Sequence, residues 1–245
     1  MKIGIQLYNF RTQLAEDYRG TLREIAKLGC DGVEFAMKYG DIPPEELAAF
    51  TKELGLECAG TMFTADELLD TKSIAYQYAR QLNSPAVTIS AFCDFANEWR
   101  SIAEKCGKIG AVAAGNGLVF SYHNHWDECV KADGAPALDR IMEATNPHEV
   151  LLEPDVCWLT RGGIEPVQFI SRYSGRIRQI HLKDSTQPED RQCLTELGNG
   201  IVNIEGVCRA AGKIGAQWLI YEQDVTEDPF RSAEISLNYI RKLEL

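Results

Sequence analysis

The stretch TLREIAKLGCDGVEFA, residues 21–36, contains the unit from which the fold can be derived. Its first part places apolar residues at the spacing of an amphipathic helix, and this helical pattern ends at Gly29. A short β-branched and aromatic run, GVEFA at 32–36, follows after Cys30 and Asp31. So short a return from helix to strand is the usual αβ connection, and it favours parallel strands.

Similar strand-like runs recur along the rest of the chain. They are KIGIQLY at 2–8, LECAGT at 56–61, PAVTIS at 85–90, LVFSYHNH at 118–125, VLLEPD at 150–155, IRQIHLKD at 177–184 and QWLIYEQD at 217–224. Together with 32–36 they make eight predicted strands. Helical periodicity occurs between them, over residues 21–29, 45–55, 65–82, 99–117, 135–144, 165–173 and 230–243. The predicted order is strand then helix throughout.

This alternation predicts an α/β protein with a single (β/α)8 TIM barrel over residues 1–245. Eight βα units in 245 residues average about 31 residues each, which is typical of such a barrel. No proline-rich linker or low-complexity segment divides the chain. A doubly wound open sheet is the alternative, but the first predicted βα turn, residues 7–12, lacks a GxGxxG loop.

Composition excludes several classes of function. The chain is 45% hydrophobic and 25% charged, as in globular proteins, and its net charge of −11 disfavours nucleic acid and anionic membranes as partners. No apolar run approaches the roughly 20 residues of a membrane span, and the N-terminus lacks a secretory leader pattern. The eight cysteines are scattered without a CxxC pair. We therefore expect a cytoplasmic protein.

Side chains suited to metal binding and proton transfer collect at the ends of the predicted strands, which form the working face of a barrel. The set comprises His123, His125, His181, Glu34, Glu153, Asp155, Asp184, Glu222 and Asp224. Residues i and i+2 share one face of a strand, so His123 and His125 are predicted to point the same way. Asp155, His181 and Glu222, with one more ligand from the fifth strand, would form a mixed nitrogen and oxygen site. Such a site suits Mn²⁺, Mg²⁺, Co²⁺ or Zn²⁺.

Four of these strand ends resemble the signatures of the sugar phosphate isomerase/epimerase family, the xylose isomerase-like TIM barrels. They are YHNHWDE at 122–128, EPDVCWLTRGG at 153–163, HLKD at 181–184 and YEQD at 221–224. The resemblance covers essentially the whole chain. It implies a divalent cation, with Mn²⁺ favoured, held by Asp155, His181 and Glu222. For the fifth strand, either His123 replaces the glutamate of many relatives or Glu128 reaches back to the metal; we favour Glu128.

The chemistry that the resemblance implies is removal of a proton next to a carbonyl. Glu222 is predicted to move that proton, with His123 and His125 as acid or base groups and Lys183 as a source of positive charge. Four residues are predicted to contact the substrate: Glu34, Trp126, Trp158 and Arg161.

Two further details bear on the substrate. Trp158 stands where epimerase relatives often have a histidine, which puts their two-glutamate mechanism in doubt. The segment Gly198-Asn199-Gly200 follows the seventh predicted strand, where barrels often bind phosphate through backbone N–H groups.

The resulting prediction is a metal-dependent isomerase or epimerase of a small-molecule sugar, keto-sugar or sugar phosphate. The alternative enzyme is a dehydratase or lyase acting on an inosose-like or 3-keto-glycoside substrate, since the same proton removal also precedes loss of a β-hydroxyl. An abasic-site endonuclease is disfavoured by the net charge and by the presence of only four histidines. A sugar-binding barrel without catalysis is the non-enzyme alternative, and a homodimer is compatible with any of these.

Overall fold

A computed structural model describes residues 1–187 and 189–243. Its centre is a sheet of eight parallel strands. They are β1 (Lys2–Gln6), β2 (Gly32–Ala36), β3 (Glu57–Met62), β4 (Val87–Ile89), β5 (Phe120–His123), β6 (Val150–Glu153), β7 (Gln179–Leu182) and β8 (Trp218–Tyr221). The strands pair in the order β6-β5-β4-β3-β2-β1-β8-β7.

The sheet closes into a barrel between its two outer strands, β6 and β7. Leu152 bridges to Ile177 and Asp155 to His181, both in parallel orientation. The backbone N–H of His181 donates to the carbonyl of Pro154 at 2.9 Å. The prediction of a TIM barrel is therefore confirmed, and every predicted strand is present.

Helices surround the barrel. They are α1 (Arg11–Glu16), α2 (Tyr18–Lys27), α3 (Pro44–Glu53), α4 (Ala65–Leu69), α5 (Ile74–Gln81), α6 (Phe95–Gly115), α7 (Ala137–Glu143), α8 (Val156–Arg161), α9 (Pro166–Arg172), α10 (Ile204–Ile214) and α11 (Pro229–Lys242). None of the helices in the described part of the chain is long and apolar enough to cross a membrane.

Side chains that compete for backbone hydrogen bonds shift several predicted boundaries. The predicted helix 65–82 is two helices, because the Ser73 hydroxyl accepts from the N–H of Ala75 and starts α5 anew. The predicted sixth strand ends at Glu153, because the Asp155 carboxylate accepts from the N–H groups of Cys157 and Trp158 and starts α8. Helix α8 was not predicted at all.

The interior of the barrel is largely polar. Alternation along β7 points Gln179, His181 and Lys183 inward, and the same alternation on β8 points Trp218, Ile220 and Glu222 inward. Apolar side chains at the base form a small cluster of their own, made of Ala59, Trp218 and Ile220. The large apolar core lies instead between the sheet and the helices. The half of the barrel at the carboxyl ends of the strands is therefore lined by polar and charged side chains.

The loop after β7 is held together by one carboxylate. Asp184 Oδ1 accepts from the N–H groups of Ser185 and Val202, and Oδ2 accepts from those of Gly198 and Gly200, at 2.9 to 3.0 Å. The glycine N–H groups considered for phosphate binding are therefore occupied by a carboxylate of the same chain. Pro188, which belongs to this loop, lies outside the described residues.

Replacing Asp184 with asparagine should destabilise the barrel strongly, because one amide oxygen cannot serve four N–H donors. We expect the free energy of unfolding to fall by about 3 kcal/mol, measured by urea denaturation. Glu189→Gln, an exposed acid-to-amide change in the same loop, is the control and should change it by less than about 0.5 kcal/mol. Equal effects of the two substitutions would show that the four hydrogen bonds do not hold the loop.

Candidate metal and catalytic site

The carboxyl ends of β5 to β8 bring four metal-binding side chains together. They are His123, Asp155, His181 and Glu222, and one possible ligand atom from each lies within 4.8 Å of the others. All four side chains are buried. The predicted trio of Asp155, His181 and Glu222 is thus assembled, and the residue that joins it from β5 is His123.

Both ring nitrogens of His181 contact carboxylates. Its Nδ1 lies 2.9 Å from Glu222 Oε2, and its Nε2 lies 2.6 Å from Glu34 Oε2. Burial alone would lower the pKa of His181, but Glu153, Glu34 and Glu222 raise the pKa well above its usual value. The surrounding carboxylates therefore favour a proton on His181, and a metal ion bound at Nδ1 would take the place of that proton.

Glu34 does not reach the mouth of the barrel, where we expected it to contact the substrate. It is fully buried, and its Oε2 also accepts from Gln6 Nε2 at 2.7 Å. A Cβ atom at Gly60 would overlap its carboxylate, so the glycine on β3 provides the space for it. Glu34 orients His181 from below.

Lys183 is a buried cation among three carboxylates. Its Nζ lies 2.9 Å from Asp155 Oδ2, 2.9 Å from Glu222 Oε2 and 3.3 Å from Asp224 Oδ2. Burial alone would lower the pKa of Lys183, but these carboxylates raise it well above its usual value. The predicted positive charge therefore lies within the site.

The carboxylates around Lys183 differ in their protonation. Burial alone would raise the pKa of Glu222, but Lys183 and His181 hold it well below its usual value. Burial raises the pKa of Asp155, and it raises the pKa of Asp224 to about 6. Glu222 is therefore ionised at neutral pH and can accept a proton.

The two histidines of the fifth strand and its loop are uncharged at neutral pH. Burial, together with the neighbouring His181, lowers the pKa of His123, and burial and His123 lower the pKa of His125. The ring centroids of His123 and His125 are 5.3 Å apart, although His125 lies beyond the end of β5. His123 Nδ1 lies 3.4 Å from Glu153 Oε2, and burial raises the pKa of Glu153 to about 7.

Glu128 lies outside the four-residue cluster. Its Oε1 accepts from the Tyr122 hydroxyl at 2.8 Å, and its Oε2 accepts from the backbone N–H of His125 at 3.0 Å. Burial raises the pKa of Glu128 to about 8. These contacts make Glu128 a brace for the loop that carries His125, and they favour His123 over our predicted Glu128 as the fourth ligand.

Aromatic and basic side chains form the rim of the site. Trp158 is fully buried and meets the partly exposed Trp126 at a ring-centroid distance of 4.9 Å, so Trp126 presents the accessible indole. The Arg161 guanidinium lies 3.7 Å from the centroid of Trp126. Arg191, which sequence reasoning missed, lies 5.8 Å from the same ring. No periodic pattern marks Arg191, because it begins a single 3-10 turn, Arg191–Cys193, within the long loop after β7.

Fold and site together define a TIM barrel with a buried cluster of imidazoles and carboxylates at the carboxyl ends of its strands. The chain belongs to the xylose isomerase-like TIM barrel family, whose profile matches residues 22–243.

Known relatives include enzymes with different reactions. The chain is 26% identical over 189 residues to an inosose dehydratase of Geobacillus kaustophilus, covering 66% of this chain and 60% of that protein. It thus spans less than two thirds of that relative. A sugar phosphate isomerase/epimerase of Parabacteroides distasonis has a similar structure, with a TM-score of 0.83, 20% identity and coverage of 98% and 93%. A probable 3-DHS dehydratase of Bacillus anthracis is also similar, with a TM-score of 0.79, 14% identity and coverage of 98% and 99%.

The raised pKa of Glu128 predicts a pH-dependent stability. The folded protein retains the Glu128 proton up to about pH 8, whereas the ordinary value is 4.5. The folded state therefore binds more protons across this window, and the free energy of unfolding falls as the pH rises through it. Glu153 and Asp224, whose pKa values are also raised, add to this fall. Between pH 5 and pH 8 we expect Glu128 to contribute a part on the order of 3 kcal/mol, and Glu128→Gln should remove that part alone.

The measurement is urea denaturation of both proteins across this pH range. Glu16→Gln, at an exposed acid, is the control and should retain the fall seen in the original protein. If Glu128→Gln follows the same pH profile as the original protein, Glu128 is not protonated in the folded state.

Proposed function

We propose that this protein is a divalent-metal-dependent isomerase or epimerase of a sugar, keto-sugar or sugar phosphate. The observation that carries the proposal is the buried cluster of His123, Asp155, His181 and Glu222. Two imidazoles and two carboxylates are a ligand set for Mn²⁺, Co²⁺ or Zn²⁺, and Mg²⁺ also accepts the carboxylates. Mn²⁺ remains the favoured cation.

Two features of the cluster fit a cation. Asp155 Oδ2 is buried and accepts no hydrogen bond of good geometry within the described residues, although Lys183 Nζ is near. Glu34 Oε2 also lies within hydrogen-bond distance of Nε2 of His181, whereas Glu153 Oε2 lies 3.4 Å from Nδ1 of His123 without hydrogen-bond geometry. Metal-binding histidines usually have such a partner for the ring nitrogen that does not bind the metal. A bound divalent cation supplies Lewis-acid stabilisation of negative charge on a substrate carbonyl oxygen.

Glu222 is the proposed proton acceptor. Its Oε2 takes the contacts with His181 Nδ1 and Lys183 Nζ, so Oε1 is the oxygen that can face the substrate. The ammonium of Lys183 keeps Glu222 ionised in a buried setting, where a lone carboxylate would otherwise take up a proton. His125, whose Nδ1 has no hydrogen-bond partner among the described residues, is the proposed hydrogen-bonding group on the opposite side of the substrate.

The fate of the proton separates two reactions. Returning it to a carbon gives an isomer or epimer and needs no acid for a leaving hydroxyl. Dehydration requires such an acid, and the two basic side chains beside Glu222, Lys183 and His181, are weak acids because their pKa values are raised. This favours isomerisation or epimerisation. A dehydratase acting on an inosose-like or 3-keto-glycoside substrate is the second candidate, supported by the names of the dehydratase relatives.

Metal analysis tests the proposed ligands. We expect near-stoichiometric Mn, Co, Zn or Mg by inductively coupled plasma mass spectrometry on chelator-free protein after reconstitution. His123→Ala and His181→Ala should lose it, whereas Glu128→Gln and the surface control His148→Ala should retain it. Circular dichroism checks that each variant is folded. Loss of metal in Glu128→Gln but not in His123→Ala would restore Glu128 as the ligand, and an original protein that binds no metal would overturn the proposal.

Solvent exchange tests the proposed reaction. Metal-loaded protein in D₂O should incorporate deuterium next to the carbonyl of a ketose or keto-sugar, and Glu222→Gln should slow this by about 10³-fold. Glu227→Gln, at an exposed position nearby in sequence, is the control. Nuclear magnetic resonance of the product distinguishes a deuterated isomer or epimer from an alkene or enol formed by loss of water. The latter product would establish the dehydratase, and absence of exchange across ketoses, inososes and 3-keto-glycosides would favour a sugar-binding barrel.

The cytoplasmic location and the homodimer remain predictions. Size-exclusion chromatography with light scattering tests the dimer directly.

A further inference from the structure

Three cations surround one buried indole at the rim of the site. The centroid of Trp158 lies 4.5 Å from Lys183 Nζ, 5.8 Å from the guanidinium of Arg161 and 5.8 Å from that of Arg191. The Trp126 ring packs against Trp158, and the Arg161 guanidinium lies 3.7 Å from the centroid of Trp126. In a chain of net charge −11, this places three basic side chains around one aromatic ring.

The three cations are not equally neutralised. Lys183 has three carboxylates within 3.3 Å, as described above. Within residues 1–187 and 189–243, the only carboxylate paired with Arg191 is that of Asp224, at 3.5 Å, and the Arg191 side chain is 42% exposed. Arg161 forms no ion pair with any carboxylate of the described residues, and its Nη1 is buried without a hydrogen-bond partner there. A guanidinium has five N–H donors, so most donors of these two arginines remain free to bind a ligand.

The surroundings hold the arginines in place. Stacking on Trp126 fixes the plane of the Arg161 guanidinium. Arg161 is also the last residue of α8, whose first turn is capped by Asp155 of the metal cluster. The helix sets a separation of about 9 Å along its axis between the two residues, and helical side chains lean back toward the N-terminus. The Arg161 side chain is therefore expected to point along α8 toward Asp155, at a distance that the helix fixes.

We propose that Arg161 and Arg191 form an anion-binding subsite, and that the substrate carries a carboxylate or phosphate on the part of the molecule remote from the reacting carbon. Planar guanidinium groups bind both anions through paired N–H donors. The N–H groups that often bind phosphate in barrels are filled here by Asp184, so an anion has to bind elsewhere. The proposal rests on the proposed function in that the anion belongs to the substrate of that site.

Matched ligands test the subsite without turnover. D-fructose, D-fructose 6-phosphate and 5-keto-D-gluconate are titrated into metal-loaded protein at low ionic strength by isothermal titration calorimetry, with thermal unfolding as a second readout. We expect at least one charged ligand to bind tenfold or more tightly than D-fructose. Whether the phosphate or the carboxylate ligand shows this preference identifies the anion.

Arginine variants assign the preference to the subsite. Arg161→Met and Arg191→Met should each weaken binding of the charged ligand by about tenfold and leave D-fructose binding unchanged. Arg178→Met removes the same charge at an exposed position before β7 and should have no effect. Arg161→Lys keeps the charge but loses the paired donors, and it should restore only part of the affinity.

The outcomes separate this inference from the proposed function. The subsite is overturned if no charged ligand binds more tightly than D-fructose or stabilises the protein more than D-fructose does. It is also overturned if a variant with both Arg161→Met and Arg191→Met keeps the preference for the charged ligand. Deuterium exchange without an anion preference would leave the reaction standing and remove the subsite alone. An anion preference that depends on both arginines, in a protein without exchange, would support the subsite and remove the isomerase.

Discussion

Neutralisation of buried charge at the carboxyl ends of β5 to β8 is the constraint on which the site depends. Asp155, Glu222 and Asp224 would each favour a proton over a charge in so buried a setting. Lys183 lies within 3.3 Å of all three and keeps Glu222 ionised. Because Lys183 follows β7 and its carboxylate partners follow β6 and β8, the charges balance only when the barrel is closed between β6 and β7. The neutralisation of these buried charges therefore depends on the closed barrel.

The polar interior supports the site from below. Gln6 and Glu34 occupy paired positions on β1 and β2, and the Glu34 carboxylate reaches across the barrel to His181 on β7. Gly60 leaves the space that this carboxylate needs. An apolar interior would have been simpler to stabilise, since buried ion pairs often contribute little net stability. The arrangement instead fixes the orientation of the His181 imidazole, as the proposed metal ligation would require.

In the proposed function, the side chains at the rim supply selectivity to a centre whose first step, removal of a proton beside a carbonyl, is shared by several reactions. Removal of a proton beside a carbonyl can lead to an isomer, an epimer or an alkene, so the centre alone does not choose the product. In the proposed function that choice depends on the groups around the substrate, and the side chains at the rim of the cluster are Trp126, Arg161, Arg191 and the uncharged His125. The different reactions named for relatives with this fold agree with the rule that function depends on such peripheral groups.

Local periodicity was sufficient to predict the barrel and most of its centre. Strand alternation places His181 and Glu222 inward, and the carboxyl ends of neighbouring parallel strands meet in any barrel. Contacts distant in sequence decided the rest. Glu128 lies five residues after the end of β5, where strand alternation no longer predicts the direction of a side chain. Its hydrogen bond with Tyr122 is seen only in the folded structure. Glu34 lies 147 positions from His181 in the sequence. Their side chains meet inside the barrel only because the strands close into a ring. The sequence alone thus determined which residues share a face, because that follows from backbone geometry. Only the tertiary structure decided which of them touch, because that depends on how the strands close.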